Sequence, residues 1–318
     1  MSLPRTWAVV LTGLVGDLVE VEADVTSQTP DFQVIGLADR AIGEARQRVR
    51  NACANSELDL PRRRLTVSLS PADLPKHGSG LDLAIAVAAL ATQHAMDARS
   101  LATTVHIGEL ALDGRLRPIA GVLPAVMAAA RAGFTRVVVP WANGDEARLV
   151  NGVDVIAAAS LREVAGCHGL ELDPREVEPV AAATAADETS SALLDLAEVV
   201  GQRDAVDALV VAAAGGHHLL LSGPPGAGKT MLARRLTGIL PELDDREALH
   251  AAAVRSLAGC SVTTLHREPP FEAPHHTTST AALFGGGSRT VRPGAIARAS
   301  GGVLFLDEAG EYTAQALD

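Results

Sequence analysis

The chain has 318 residues, enough for about two domains at roughly 100–200 residues each. It is 47% hydrophobic and 20% charged, which excludes a disordered chain, and its aromatic content of 3% requires cores built from Ala, Val, Leu and Ile. The formal net charge of −11 excludes an overall basic coat for nucleic acid, yet most of the excess is local: eight acids and one base (Arg175) lie between Glu171 and Glu198, and the rest of the chain carries only −4, mild enough for a local basic groove.

In chain order, Thr6–Leu14 and Leu18–Val25 read as two strands of a hairpin turning near Gly16-Asp17. Gly43–Ser56 reads as a helix with a mixed charged face, and Arg63–Pro71 as a strand closed by proline. Leu81–Ala95 is apolar nearly all round, the mark of a buried helix. Val105–Ile119 reads as a hairpin turning at Asp113-Gly114, a type I′ signal. A helix over Leu123–Ala132 stops at Gly133; the strand Arg136–Pro140, the strand Asp154–Ala159 and another helix follow. Cys53, Cys167 and Cys260 are far apart without C-x-x-C spacing, so buried free thiols in a reducing compartment are expected rather than a disulfide or zinc framework. Met1–Pro4 leads straight into a strand-like run and no stretch of about 18 apolar residues occurs, so the expectation is a cytoplasmic protein with no membrane partner.

The segment 171–190 is acidic and Ala-rich and carries Pro174 and Pro179, which reads as an exposed linker. It separates a front region, 1–170, from a second α/β region, 191–318. There a helix over Gln202–Ala214 ends at Gly215-Gly216, and His217–Gly223 reads as a buried strand. A glycine-rich loop follows, then a helix from about Lys229 to Leu240, stopped by Pro241.

That loop, Gly223-Pro224-Pro225-Gly226-Ala227-Gly228-Lys229-Thr230, fits G-x-x-x-x-G-K-[ST] without a mismatch. Glycines let successive backbone N–H groups turn inward around phosphates, the lysine reaches the β- and γ-phosphates, and the threonine hydroxyl can ligate Mg²⁺. An ordinary glycine turn before a helix is the bland reading. The flanking strand, the following helix and a later acidic strand end argue for ATP. That acidic end is Val303–Glu308, read as a central parallel strand buried on both faces with Asp307 at its carboxyl end. Asp307 is expected to hold Mg²⁺, mostly through water, and Glu308 to polarise the attacking water. Alone, the acidic pair would read as a solvated turn.

On these residues the second region resembles the AAA+ core of the magnesium chelatase I-subunit clade, and within it the YifB/ComM family. The resemblance is carried by Val199–Gln202, the phosphate loop, Ala273–Gly287 with its Ala-Pro-His-His-Thr block, and Arg292–Glu308. It implies that Val200 and Gly201 pack near the adenine. One departure is Ala295, where the family usually has an acid after the Pro-Gly pair, so the insert is expected to pack differently. His266, His275 and His276 raise a metal site, but adjacent histidines on a non-helical stretch rarely converge on one ion, and the block reads as a structural or substrate-side insert.

The front region resembles the peptidase domain of Lon through Ser68–Leu90 and Gly108–Pro140. Lon-type peptidases use a serine nucleophile and a lysine base. Here Pro75-Lys76-His77-Gly78 runs into Ser79-Gly80 in a loop two residues shorter, and Ile119-Ala120-Gly121-Val122 is followed by Leu123 where the resemblance places the lysine. Leucine cannot take a proton, so Ser79 reads as a turn residue, and Lys76, in the same loop, matches a non-catalytic position. The fold class expected is therefore α/β: an α+β, Lon-protease-like (ribosomal protein S5 domain 2-like) domain, then an incomplete P-loop AAA+ parallel-sheet domain.

The family implies an ATPase with ATP and Mg²⁺ as cofactors, self-assembly into a hexameric ring, DNA as partner, and branch-migration helicase activity in natural transformation. Arg289, Arg292 and Arg298 are candidate pore bases whose bland reading is solvated loop charge. Metal insertion into a porphyrin, an ATP-dependent protease and a nucleotide-binding fragment without motor activity are the other readings. Only ten residues follow Glu308, too few for the sensors, arginine finger and helical lid of such ATPases, so weak hydrolysis is expected of this chain.

Overall fold

Strict alternation of apolar and polar residues builds half-buried strands, and the longest such runs lie near the N-terminus. In the computed structural model, which describes residues 3–36, 39–76, 79–182, 194–287 and 292–317, these runs form one mixed sheet. The elements in order are β1 (Arg5–Thr12), β2 (Val15–Thr26), β3 (Asp31–Ile35), α1 (Asp39–Asn55), β4 (Arg64–Ser70), α2 (Asp82–Leu90), α3 (Ala98–Ala102), β5 (Thr104–His106), β6 (Glu109–Leu110), β7 (Leu116–Arg117), α4 (Val122–Arg131), β8 (Arg136–Pro140), α5 (Gly144–Ala147), β9 (Asp154–Ala158) and α6 (Leu161–Cys167). The seven-stranded sheet runs β3-β4-β2-β1-β5-β8-β9, antiparallel at β4–β2 and β2–β1 and parallel elsewhere.

β4 buries every second residue, as its pattern demands, whereas Val137–Val139 of β8 are buried on both faces because β5 and β9 flank them and helices cover them. The first hairpin turns at Gly13-Leu14, with Thr12 opposite Val15, three residues before the expected place. Gly13 supplies the left-handed φ of 61° that the tight turn requires, which Asp17 could adopt only with strain. Val105–Ile119 is not one hairpin. β5 joins the main sheet, and only β6 and β7 pair with each other, around a turn in which Gly114 but not Asp113 has positive φ, so it is not type I′.

All nine residues of α2 are buried, as expected for a helix apolar on every face, although it ends at Leu90 rather than Ala95. Its single charge, Asp82, is bound by the Arg48 guanidinium at 2.6 and 3.1 Å. Burial pushes Asp82 up to about 6 against the pull of Arg48, while the pair raises Arg48; both are charged at neutral pH. The core is aliphatic, as the composition requires. Of the cysteines only Cys53 is buried, which pushes its thiol up to about 12; Cys167 is exposed and Cys260 half-buried, so the expectation of buried thiols fails for two of three.

The chain divides into two units, Met1–Ala185 with Ser256–Thr264, and Ala186–Arg255 with Leu265–Asp318. The second comprises α7 (Arg203–Gly215), α8 (Lys229–Arg235), α9 (Asp245–Leu257, whose last two residues fall in the first unit), β10 (Phe271–Glu272), α10 (Thr280–Phe284), β11 (Gly285–Gly286), β12 (Arg292–Pro293), α11 (Ala295–Arg298), β13 (Val303–Leu304) and α12 (Ala314–Leu317). Its described strands pair only as two ladders, β10 with β13 in parallel and β11 with β12 antiparallel. Two expectations are corrected here. His217–Gly223 is not a strand, and Leu220 is 85% exposed. Of Val303–Glu308 only Val303 and Leu304 are ladder residues, half-buried rather than buried on both faces. A strand is completed by its neighbours, and none of the described residues flanks these runs on both sides. α8 likewise ends at Arg235, and a 3₁₀ turn over Thr237–Ile239 carries the chain to Pro241. Ala295 is fully buried, which leaves no room for the solvated acid usual at that place. The segment 183–193, Arg289, His77 and Gly78 lie outside the described residues.

Candidate nucleotide site

The site is built by a loop, a helix start and the end of a short strand, all in the second unit. Gly226 and Gly228 take left-handed φ of 78° and 81°, a conformation that any side chain would strain, and so the loop curls before α8. The Lys229 ammonium folds over this curl and donates to the Gly223 and Pro224 carbonyls at 2.9 and 3.1 Å. Gln202 pins the loop from outside, its side-chain amide donating to the Ala227 carbonyl at 3.1 Å. Val200 is 94% exposed and Gly201 has φ of 80°, so this stretch presents an open apolar surface just before α7.

β13 brings the acids to the loop. Gly302 lets it run beside β10: a Cβ there would lie 2.0 Å from the Pro270 carbonyl oxygen, so no other residue fits. Val303 N and Phe305 N then donate to Pro270 and Glu272 at 2.8 Å each, and the strand delivers Asp307 to α8. The Thr230 hydroxyl donates to the Asp307 carboxylate at 3.0 Å across 77 residues of sequence. Two hard oxygen donors converging beside a lysine and a glycine cradle are what magnesium and a polyphosphate take, so the residues present fit both groups.

Glu308 has a left-handed φ of 52°; its N–H donates to Asp307 at 3.1 Å, and its carboxylate lies 3.5 Å from His276 Nδ1. The His275 and His276 rings pack with centroids 4.0 Å apart and planes tilted by 36°, and Tyr312 donates to the Pro274 carbonyl at 2.5 Å. Burial, then the negative charge of Asp307, raises the Tyr312 hydroxyl above its ordinary value. Arg298, one of the candidate pore bases, forms a two-pronged pair with Glu272 at 2.9 Å on both prongs, while Arg292 is exposed on β12. The contacts of Gln202 and His276 were missed by sequence reasoning. The only signal was proximity to a motif: Gln202 closes the Val-Val-Gly-Gln run, and His276 belongs to the histidine pair weighed as a metal site.

In the first unit, the Ser79 hydroxyl donates to Glu109, not to an amine. The chain has two lysines, Lys76 and Lys229. Lys76 is buried and donates to the Pro71 and Leu74 carbonyls, the latter at 3.2 Å; its burial lowers the ammonium from its ordinary value, against Asp73. Leu123 is fully buried at the start of α4, its N–H shared between Glu146 and Ser256 at 3.3 Å each. The Glu146 carboxyl is raised by burial and also accepts from Asn143 at 3.0 Å.

The family described as "Magnesium chelatase, subunit ChlI" matches residues 195–318, and "Subunit ChlI of Mg-chelatase" matches 21–143. The chain is 41% identical over 320 residues to Competence protein ComM of Haemophilus influenzae and 40% identical over 323 residues to YifB of Escherichia coli, in each case over 100% of this chain and 62% of the relative. This chain is a YifB/ComM-like member of the magnesium chelatase family. It is also 49% identical over 324 residues to the uncharacterized protein Rv2897c of Mycobacterium tuberculosis, over 100% of this chain and 63% of that relative. This YifB/ComM-like chain thus spans just over three-fifths of the length of these curated relatives. The chain also matches Lon protease 2 of Bacillus subtilis, 26% identical over 166 residues, 47% of this chain and 30% of the relative. The fold is therefore a Lon-like α/β arrangement followed by an AAA+-like one. Among the described residues no helix is long and apolar enough to cross a membrane.

Proposed function

We propose that this chain binds ATP with Mg²⁺ at Gly223–Thr230 and Asp307 and is the nucleotide-binding part of a YifB/ComM-type AAA+ ATPase. One observation carries the reading: the Thr230–Asp307 hydrogen bond of 3.0 Å, which joins the glycine loop to the acidic strand end beside Lys229. In this proposal Lys229 leaves its two carbonyl partners for the β- and γ-phosphates, and Thr230 and Asp307 hold the metal. Val200 and Gly201 cover the adenine, and Glu308 orients the attacking water. Bound Mg²⁺ would neutralise charge on the β- and γ-phosphate oxygens. Residues 1–170 form the Lon-like domain without peptidase activity, 171–190 the linker and 191–318 the ATPase part. The finer reading is a cytoplasmic, hexameric DNA motor that drives branch migration during natural transformation; the name of the Haemophilus relative, a competence protein, supports the link to competence alone.

The test is retention of a fluorescent ATP analogue with Mg²⁺ by the folded chain, compared with Lys229→Ala. Removing an ammonium–phosphate contact worth about 2 kcal/mol weakens binding roughly thirtyfold. Equal retention by both proteins would overturn the reading. The family description also raises metal insertion into a porphyrin. The Lon-like front half disfavours it, and porphyrin metallation without unwinding of branched DNA would favour it instead.

A further inference from the structure

We propose that His276 is a positioning residue for Glu308: its Nδ1–H holds the carboxylate, and the Ala273–Gly287 block thereby sets the geometry of hydrolysis. The inference rests on the reading of Glu308 as the group that orients water. Four observations carry it. First, the backbone of Glu308 is fixed while its side chain is not. The residue sits at φ 52°, ψ 50°, its N–H bound to Asp307 at 3.1 Å and its carbonyl accepting from Glu311 N at 2.8 Å, yet its side chain is 68% exposed. Second, the His276 Nδ1–Glu308 Oε2 approach is 3.5 Å, a contact that closes to a hydrogen bond with a small rotation of either side chain.

Third, the imidazole is itself anchored. Its ring packs against His275 at a tilt of 36°, and His275 Nδ1 contacts the Thr277 hydroxyl at 2.8 Å while its carbonyl accepts from Thr278 N at 2.8 Å. The Tyr312 hydroxyl ties Pro274 to the loop that follows Glu308. Fourth, His276 and Glu308 line one open hollow of about 370 Å³ with Ala309, Gly310 and Glu311, wide enough for water to reach the carboxylate. A half-buried imidazole facing an exposed carboxylate contributes little to folding, so what the pair can supply is orientation.

The neutral imidazole has two tautomers, and a carboxylate at Nδ1 selects the one protonated there. Long-range ¹H–¹⁵N spectra of ¹⁵N-histidine-labelled protein at about pH 9, where free imidazoles are neutral, read this directly without nucleotide. His276→Gln assigns the resonance. The expected result is an Nδ1–H tautomer in the wild type that reverts to Nε2–H in Glu308→Ala. At saturating MgATP, His276→Ala should lower kcat about tenfold with nucleotide affinity unchanged, and His276→Gln, which keeps a donor, should restore most of it. An Nε2–H tautomer in the wild type, a tautomer indifferent to Glu308, or an equal fall in affinity and turnover would overturn the proposal. If nucleotide binds and depends on Lys229 while the tautomer ignores Glu308, this inference alone fails. If nucleotide does not bind, the ATPase reading fails first and takes the positioning role with it.

Discussion

Val137–Val139 and Leu219–Leu221 are both runs of three aliphatic residues. The first lies in β8 with β5 on one side and β9 on the other, and all three valines are fully buried. The second has no ladder partner among the described residues, and Leu219 and Leu220 are 38% and 85% exposed. The difference does not come from the runs themselves. Burial of a strand belongs to its neighbours, which satisfy its N–H and C=O groups on both edges and cover its faces. The same contrast holds for the units as wholes. Among the described residues twelve leucine and isoleucine side chains between Leu58 and Leu161 are at most 1% exposed, whereas in the second unit only Leu209 and Leu283 are, and the cluster that includes α8 has three buried members, Leu196, Leu209 and Leu232.

Three experiments sharpen or break this contrast. The largest effect is expected from Ile85→Ala in α2, which removes a fully buried side chain from the centre of the first unit. Urea denaturation should show a loss of about 3 kcal/mol. A loss below about 1 kcal/mol would mean that the site collapses freely and that the core is less tightly packed than its burial indicates.

A comparable effect attends the buried chain Thr6–His106–His168–Ser100, in which His106 Nδ1 meets Thr6 Oγ1 at 2.6 Å, the two Nε2 atoms meet at 2.9 Å and His168 Nδ1 meets Ser100 Oγ at 2.9 Å. Burial, then the neighbouring imidazole of His168, holds His106 well below its ordinary value. Burial, then Arg136, lowers His168 to about 4, against Asp97. Both stay neutral in the folded state while the unfolded chain takes up protons near pH 6.5, so their contribution is present above that pH and is lost on acidification towards pH 4. Relative to His168→Gln, the wild type should lose about 3 kcal/mol across that window. Asp82 has the opposite sign. Its folded value of about 6 lies above the unfolded 3.8, so between these the folded state binds more protons and gains stability as pH falls. Stability profiles of Asp82→Asn and His168→Gln should therefore diverge from the wild type in opposite directions, and parallel profiles would break the account.

The smallest effect is expected in the second unit. Leu220→Ser should change stability by less than about 0.5 kcal/mol, because the side chain is already in water. A loss above about 1 kcal/mol would show that the run is covered in solution and that the contrast with β8 is weaker than it looks.

What could be read without coordinates differs between the units for the same reason. The buried helix α2 followed from nine residues that are apolar on nearly every face, and β4 from its alternation; both are local facts that one packed sheet then honours. The turn at Gly13-Leu14 was misplaced because two glycines, Gly13 and Gly16, compete locally, and the pairing of Arg5 with Glu22 down to Thr12 with Val15 decides between them. The glycine loop before α8 stood out in the sequence because the motif it fits has fixed residue types at fixed spacing.

The amino-acid order by itself determined the glycine loop with Lys229 and Thr230, the acidic pair Asp307-Glu308, the absence of a lysine at Leu123 and the aliphatic cores. Each of these depends only on which side chains stand next to one another. Tertiary structure alone decided that Thr230 meets Asp307 across 77 residues, that His276 faces Glu308, that Ser79 is held by Glu109, and that Leu220 faces solvent while Val138 does not. Those outcomes turn on which distant segments pack together, and the free energy of such contacts comes from partners that no local window of sequence contains.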